Sequence, residues 1–567
     1  MSLIGALQSG RSALAATQAQ IQTTANNIAN AGTEGYTRQV ARTVASPDQQ
    51  LKPGVFLGTG VDLISVQRQI DEALEARIRA SVSDDESAKL TEQWMGRIES
   101  VFNELTDQDL STQMSQFFNA WSDLANKPQD PGLRQVVLQA GQSLSNWMQA
   151  TRGQLSRMKQ DADARLTALA GQADTLTGKI AQLNKDILAA EGGGGGQANG
   201  LRDQRDAVLR ELSTLADIRT QEHASGIVDV YVGSEPLVVG DRSRGVALRQ
   251  DVVDGEVQSA VVFRATNGKM KLDGKGQLGA LSNVRAAVTS VVDQLDTVAG
   301  TMIFELNKLH SAGQGLEGFA SVSANNIVAD PTAALNSADA DLRQPPVNGS
   351  FVVHVKDKTS GLITSTLISV DLDGLNGNDT TLDSLRLDLD GIDGVTASVS
   401  GGRLKIDADS AAVELSFSQD SSGVLASLGV NSFFKGSDAR DIAVDPRLFE
   451  RPNLISAARN GQPGDNQTAR AIADLQNSAI ASLGGQSLKT KYEAMINNVA
   501  STASGAKNTA ASAGAVRETL TTQREMLSGV SMDEEAINLM KYQRAYQGAA
   551  RVVAAVDELM QTMLSLV

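Results

Sequence analysis

Two seven-residue repeats bracket this sequence, and they limit its folds more than any other feature. Near the N-terminus Leu7, Leu14, Ile21 and Ile28 recur every seven residues, with Leu3, Thr17 and Thr24 at the complementary positions. Near the C-terminus Leu539, Tyr546, Val553, Met560 and Val567 repeat with the same period, and Tyr542, Ala549, Val556 and Met563 fill the second seam position. Such narrow seams are those of helices packed on one long partner, not of helices lying across a broad core. The spacing predicts a helix over about 3–29 and another over about 531–567, paired with each other and enclosing the rest of the chain.

The first of these helices has an odd outer face. From Met1 to Thr33 the one charged side chain is Arg11, and Gln, Asn, Ser and Thr take the places where a solvated helix carries charge. Uncharged polar groups tolerate burial against neighbours that pair with them, whereas an unpaired buried charge is costly. A membrane-surface helix would want Lys or Arg on that face. The pattern therefore reads as an assembly surface. Its candidate residues are Leu7, Leu14, Ile21, Asn26, Asn27, Ile28 and Asn30 at one end, and Leu539, Tyr542, Tyr546, Val553, Val556, Met560 and Met563 at the other.

Between the ends the periodicity changes several times. Helical spacing runs over about 69–102 and 133–190, and Leu166, Leu169, Ala173, Leu176, Ile180, Leu183 and Ile187 alternate steps of three and four. Five glycines at 192–196 end that run as a hinge. β-branched stretches separated by Gly, Asp and Asn follow at 226–280 and again at 346–430, the signature of short antiparallel strands. Helices resume near Thr468 and continue almost to the end. The expected fold is multidomain, mixed α and β: a long helical bundle formed by the two ends, with antiparallel β domains inserted. Expected divisions are 1–66 paired with 531–567, a helical rod of 67–340 and 431–530 with a small β subdomain near 226–280, and an inserted β domain over 341–430.

Composition narrows the function. With 50 Lys and Arg against 66 Asp and Glu the net charge is −16, so no nucleic-acid or anionic-membrane surface is expected. No cysteine occurs, which removes disulfides, thiolate metal sites and a cysteine nucleophile. No apolar run approaches the roughly 18 residues of a membrane helix, and no signal-peptide core precedes the first helix. The histidines, His223, His310 and His354, lie in three separate segments without ligand spacing, and read as structural or surface residues. Asp371, Asp373, Asn376 and Asp379 offer oxygen donors that calcium could use, echoed by "DLDGIDG" from 388. No Glu closes the loop, however, and Asp-Gly and Asn-Gly are the residues of turns. The expectation is turn chemistry, no cofactor, no metal and no catalytic site.

The segment "ANNIANAGTEGYTRQ" (25–39) resembles the N-terminal motif of the bacterial flagellar axial proteins of rod, hook and hook-filament junction. Its "GYTRQ" ending is similar to the hook-associated members. So are "SGVSMDEEAINLMKYQRAYQGAARVVAAVDELMQTML" (528–564), "LNKLHSAGQGLEG" (306–318) and "SGVLASLGVNSFFKGSDARDIAV" (422–444). The resemblance implies a structural protein forming a ring between hook and filament. It further implies export through the flagellar type III channel with a cytoplasmic chaperone, and the hook protein and a second junction protein as neighbours. Another axial protein, of hook or rod type, would share the terminal motifs. A secreted wall-degrading enzyme would need an acid/base site that the residues do not offer.

Overall fold

The computed structural model describes residues 3–33, 35–102, 109–192, 196–253, 256–375, 377–462 and 464–565. Along the chain, helix α1 (Leu3–Ala29) leads into strands β1 (Gln39–Ala45), β2 (Gln49–Lys52), β3 (Val55–Leu57) and β4 (Val61–Arg68). Helices α2 (Glu72–Phe102), α3 (Leu110–Asn126), α4 (Pro131–Glu191) and α5 (Asn199–Leu215) follow. The first β block holds β5 (Ile218–Glu222), β6 (Val228–Val232), β7 (Glu235–Val239), β8 (Arg242–Ser243), β9 (Val246–Val253) and β10 (Glu256–Phe263). After α6 (Gly276–Ser311) come β11 (Ser321–Ser323), β12 (Gly349–Asp357), β13 (Ile363–Val370), α7 (Leu382–Asp390), β14 (Val395–Ser400), β15 (Arg403–Ala408) and β16 (Val413–Ser418). The chain closes with α8 (Val424–Leu428), β17 (Phe434–Lys435), β18 (Ala443–Val444), α9 (Pro446–Glu450), α10 (Gln467–Asp474), α11 (Leu488–Ser528) and α12 (Met532–Ser565). The mixed α and β class expected from the sequence is the class observed.

The chain forms two compact units. The first comprises Met1–Trp94, Asp161–Arg285 and Ser504–Val567. Its strands β1 and β4 pair antiparallel from Gln39↔Arg68 to Ala45↔Val61, with β2 and β3 as a smaller hairpin between them. Sheet β5-β6-β7-β8 docks on the C-terminal part of α4 through the buried Asn184. Its amide donates to Val228 O and Gly240 O, both at 2.7 Å, and accepts from Val228 N–H at 3.1 Å. That one side chain satisfies strand groups that would otherwise be stranded against an apolar helix face. Charged side chains are buried here too, and in groups of three. Glu75 takes Arg524 at 2.7 Å and Arg210 at 3.4 Å, while Arg68 meets Asp203 at 3.0 Å and Asp206 at 2.5 Å.

The second unit comprises Met95–Gln160 and Ala286–Ala503. Its centre is aromatic: Phe117 and Trp121 of α3 pack edge to face with each other and lie 5.7 and 5.3 Å from Phe433, which in turn meets Phe434 at 4.8 Å. Gly141 of α4 faces this cluster, where a methyl group would stand 3.0 Å from both Phe433 and Val444, so the helix approaches only because no Cβ is present. The inserted β block consists of two three-stranded antiparallel sheets, β13-β12-β16 and β11-β15-β14. The outer strand β11 comes from Ser321–Ser323, ahead of the block read from the sequence.

Two details differ from the sequence reading. "DLDG" at 388–391 is the end of helix α7 and not a hairpin turn, and Gly391 has an ordinary right-handed conformation. Thr381 caps that helix, taking Ser384 N–H at 3.1 Å while Ser384 Oγ takes Thr381 N–H at 2.9 Å, and Leu382, Leu385 and Leu389 bury one face. The helices after Thr468 are also interrupted: α10 stops at Asp474, and the chain turns through Gly484 and Gly485, both at positive φ, before α11 begins at Leu488.

Candidate assembly surface

Helix α1 lies along α12, and a glycine sets how closely they approach. A methyl group at Gly10 would stand 2.7 Å from Cγ2 of Val553, so α1 meets α12 there backbone to side chain. Val556, one turn beyond Val553, is buried, and Leu539, Tyr542, Val553 and Met560 are half-buried along the same side of α12. Leu7, Leu14, Ile21 and Ile28 are half-buried on α1. The heptad residues thus meet within one chain. Tyr546 and Met563, read from the sequence as part of the same seam, are exposed.

The asparagines of the N-terminal motif divide their work. Asn27 is 1% exposed, and its carboxamide holds three segments together. Its Nδ2 donates to Gln39 O at 2.9 Å and to Glu535 Oε2 at 3.1 Å, while its Oδ1 accepts from Tyr36 O–H at 2.8 Å and Gln39 N–H at 3.0 Å. Asn27 is therefore spent inside the chain, not on an outer face. Asn26 is exposed and reaches Tyr36 Oη at 3.3 Å, and half-buried Asn30 bonds back to Asn26 O at 2.9 Å.

Glu535 is the residue that sequence reasoning missed. It is 2% exposed, near the start of α12, and pairs with Arg38 at 2.7 Å. Arg38 also reaches Glu534 at 3.2 Å, and its own N–H donates to Ser528 O at 3.0 Å. A carboxylate at the first turn of a helix suits the helix dipole, and here it also ties the "GYTRQ" loop to the far end of the chain. The same surroundings act on Tyr36. Burial first, then the nearby Asp203 and Glu535 carboxylates, push its hydroxyl up to about 12, so it stays a donor to Asn27 at any physiological pH.

What remains outward is a mixture of apolar and charged residues on α12 and, Arg11 apart, uncharged on α1. Ile537, Met540, Val552, Leu559 and Met563 are all exposed, Leu559 by 54%. At ~100° per residue Ile537, Met540, Val552 and Leu559 fall on one broad side of α12, interspersed with the exposed Lys541, Arg544, Arg551 and Glu558, while Met563 lies close to the line of Val556. Beside α1 lies an open cleft of about 760 Å³. Its wall is rich in carboxamides, among them Gln22, Asn26, Asn30, Gln39, Asn199 and Gln204. The carboxylate in that wall, Asp203, is already held by Arg68.

Elsewhere, Asp371, Asp373 and Asp379 bring carboxylate oxygens within 4.8 Å of one another, and Asn376 lies outside the described residues. These groups are engaged as turn acceptors. Asp373 takes Leu375 N–H at 2.8 Å, Asp379 takes Gly374 N–H at 3.0 Å, and Asp371 takes Asn378 Nδ2 at 2.7 Å. Gly374 and Gly377 sit at positive φ, as the turns require. His223 contacts Asp229, His354 bridges Ser365 and Ser418, and His310 is buried, each in a different part of the fold. No helix among the described residues is long and apolar enough to cross a membrane.

Comparison with known proteins adds an independent line. Residues 95–323 match the family described as "Flagellar hook-associated protein FlgK helical domain". Residues 521–566 match "Flagellar basal body rod FlgEFG protein C-terminal", and residues 7–37 match "Flagella basal body rod protein". The chain is 24% identical over 570 residues to "Flagellar hook-associated protein 1" of Escherichia coli (strain K12), covering 99% of both. It is also 24% identical over 571 residues to the protein of that name from Bacillus subtilis (strain 168), covering 99% of this chain and 97% of that one. A solved structure titled "The structure of the flagellar hook junction protein FlgK from Burkholderia pseudomallei" aligns at 16% identity and a TM-score of 0.49, over 80% of this chain and 100% of that one.

Proposed function

The chain belongs to the flagellar hook-associated protein 1 family, structural components of the hook-filament junction, and we propose that its paired terminal helices are the element through which copies assemble there. The observation that carries this is the division of labour on α12. One side is covered by α1, while the exposed apolar residues on another side of α12, set among Lys541, Arg544, Arg551 and Glu558, and the outer face of α1, whose one charge is Arg11, have no cover in the single chain. In an isolated soluble protein that many exposed apolar side chains on one helix would be a liability. In a closed ring each becomes buried against the next copy.

The finer reading follows from the same residues. Self-association uses Tyr546 and Met563 together with Ile537, Met540, Val552 and Leu559. The seam residues Leu7, Leu14, Ile21, Ile28, Leu539, Tyr542, Val553, Val556 and Met560 build the helix pair that presents them. The hook protein lies on one side of the ring and a second hook-filament junction protein on the other. An export chaperone covers these exposed apolar residues before assembly, and the chain leaves the cell through the flagellar type III channel. The protein works by contact and not by catalysis.

A strain lacking the gene tests this. It should build hooks, release filament protein into the medium and fail to swim, and the wild-type gene should restore filaments. Filaments of normal length in the deletion strain would overturn the proposal.

A further inference from the structure

Each of the two sheets in the inserted β block has two edge strands, and three of those four edges are closed or short. Phe319 exchanges both main-chain bonds with Leu415 of β16, at 2.7 and 2.8 Å. On β14, Val395 N–H goes to Ile392 O at 3.1 Å and Ala397 N–H to Asp390 Oδ1 at 2.9 Å. Strand β11 has only three residues. Folded proteins blunt their sheet edges in such ways, because an open edge is a template for another strand.

Strand β13 is the exception. Asp357 N–H donates to Leu362 O at 2.9 Å, and the register of the pair carries that phase along the strand. The main-chain groups of Ile363, Ser365, Leu367 and Ser369 therefore point away from β12. β12 is the one strand paired with β13, and among the described residues no other group bonds those outward N–H and C=O groups. The open stretch ends at Asp371, whose carbonyl takes Thr380 N–H at 2.6 Å. Its sequence, ITSTLISV, carries no charge, glycine or proline. Ile363 and Leu367 are 52% and 66% exposed, and Leu362 just before them is exposed as well.

We propose that β13 is a docking edge for a second copy of this chain, the two strands pairing antiparallel about a two-fold axis at Ser365. In that register Ile363 stands opposite Leu367 of the second copy, twice over, and such apolar cross-strand pairs stabilise a ladder. The charges at the two ends of the strand agree with it. Exposed Lys358, in the turn that leads into β13, comes beside the Asp371, Asp373 and Asp379 cluster of the second copy, and the reverse contact repeats it. A parallel pair would instead set acid against acid. Because the β16 edge is closed, sheets cannot add head to tail, and the contact ends at two copies. A two-fold contact does not run round a ring, so it belongs to the free protein and is separate from the contact proposed for α12.

The chain has no cysteine, so a single one introduced at the axis reports the contact. Facing Cα atoms of a bonded antiparallel pair lie about 5.5 Å apart, within reach of a disulfide. Ser365→Cys in the full chain should therefore give a disulfide-linked dimer on mild oxidation. Ser369→Cys, on the same strand but about 26 Å from its counterpart in this register, should cross-link at least tenfold more slowly. Sedimentation of the cysteine-free protein should show a mass that rises with concentration from one chain toward two, and Leu367→Lys should hold it at one. Circular dichroism reports whether each variant folds; should Leu367→Lys not fold, Ile363→Lys takes its place with the same loss expected. Cross-linking through Ser369→Cys as fast as through Ser365→Cys, a single-chain mass at every concentration, or association undiminished by the lysine variants would overturn the proposal.

Discussion

Protonating His310 would remove an acceptor that the second unit needs. Its Nδ1 lies 2.8 Å from Asn431 O and its Nε2 accepts from Ser456 N–H at 3.0 Å, which fixes the neutral tautomer with the proton on Nδ1. The ring is fully buried, and burial pulls it down to about 4; the Asn431 carbonyl and Asp445 oppose that pull, and Arg134 adds to it. The unfolded chain takes up its proton near 6.5, so the neutral ring contributes stability above that pH. That contribution falls as pH drops from about 6.5 to about 4, by at most about 3 kcal/mol. Carboxylates titrate in the same window, so His310→Gln serves as the reference, a side chain with one donor and one acceptor but no titration. The wild-type melting temperature should fall more steeply than that of H310Q between pH 6.5 and 4, and parallel curves would refute the assignment. The sequence read His310 as structural because nothing at ligand spacing accompanied it. It offered no way to see Asn27 meeting Glu535, because those two residues are 508 positions apart and each is unremarkable in its own segment.

The terminal helix pair is legible at the level of elements and only partly at the level of contacts. Period seven placed α1 and α12 and put them together, because that spacing needs a long partner. It did not separate the side of α12 that faces α1 from the side that faces outward, since Val552 and Val553 are adjacent and equally apolar. Nor did it mark Gly10, whose role depends on what lies opposite it. Helix α7 was missed for another reason: its Asp-Gly ending matches a turn, while its Thr381–Ser384 cap departs from the usual Glu or Gln partner. The geometry at Gly10 makes a sharp prediction. Gly10→Leu should force α1 off α12, an overpacking cost of about 1–3 kcal/mol, and hydrogen exchange over both helices should accelerate. Gly5→Ala, where nothing lies within 4 Å, should leave protection unchanged or slightly raised. Equal protection in the wild type and Gly10→Leu would show that the close approach at Val553 is not what holds the pair.

For the whole molecule, α12 carries apolar residues on two sides, and the duties proposed for them differ: the side against α1 folds the chain, and the other, where Ile537, Val552 and Leu559 stand among charged side chains, joins it to its neighbours. The two can be separated by substitution. Val553→Asp places a charge against α1 at a half-buried position and should destabilise the helix pair in the free protein, by about 0.5–3 kcal/mol. Val552→Asp combined with Leu559→Asp places charges where the single chain is solvated, at positions 49% and 54% exposed, and should cost the monomer little. The direct measurement is therefore made on the Val552→Asp, Leu559→Asp double variant. Its melting temperature and helicity as a purified monomer are compared with its incorporation at hook tips in a strain lacking the native gene. The account predicts a monomer that melts as the wild type does and cells that carry hooks without filaments. Normal filaments built on that variant would contradict it.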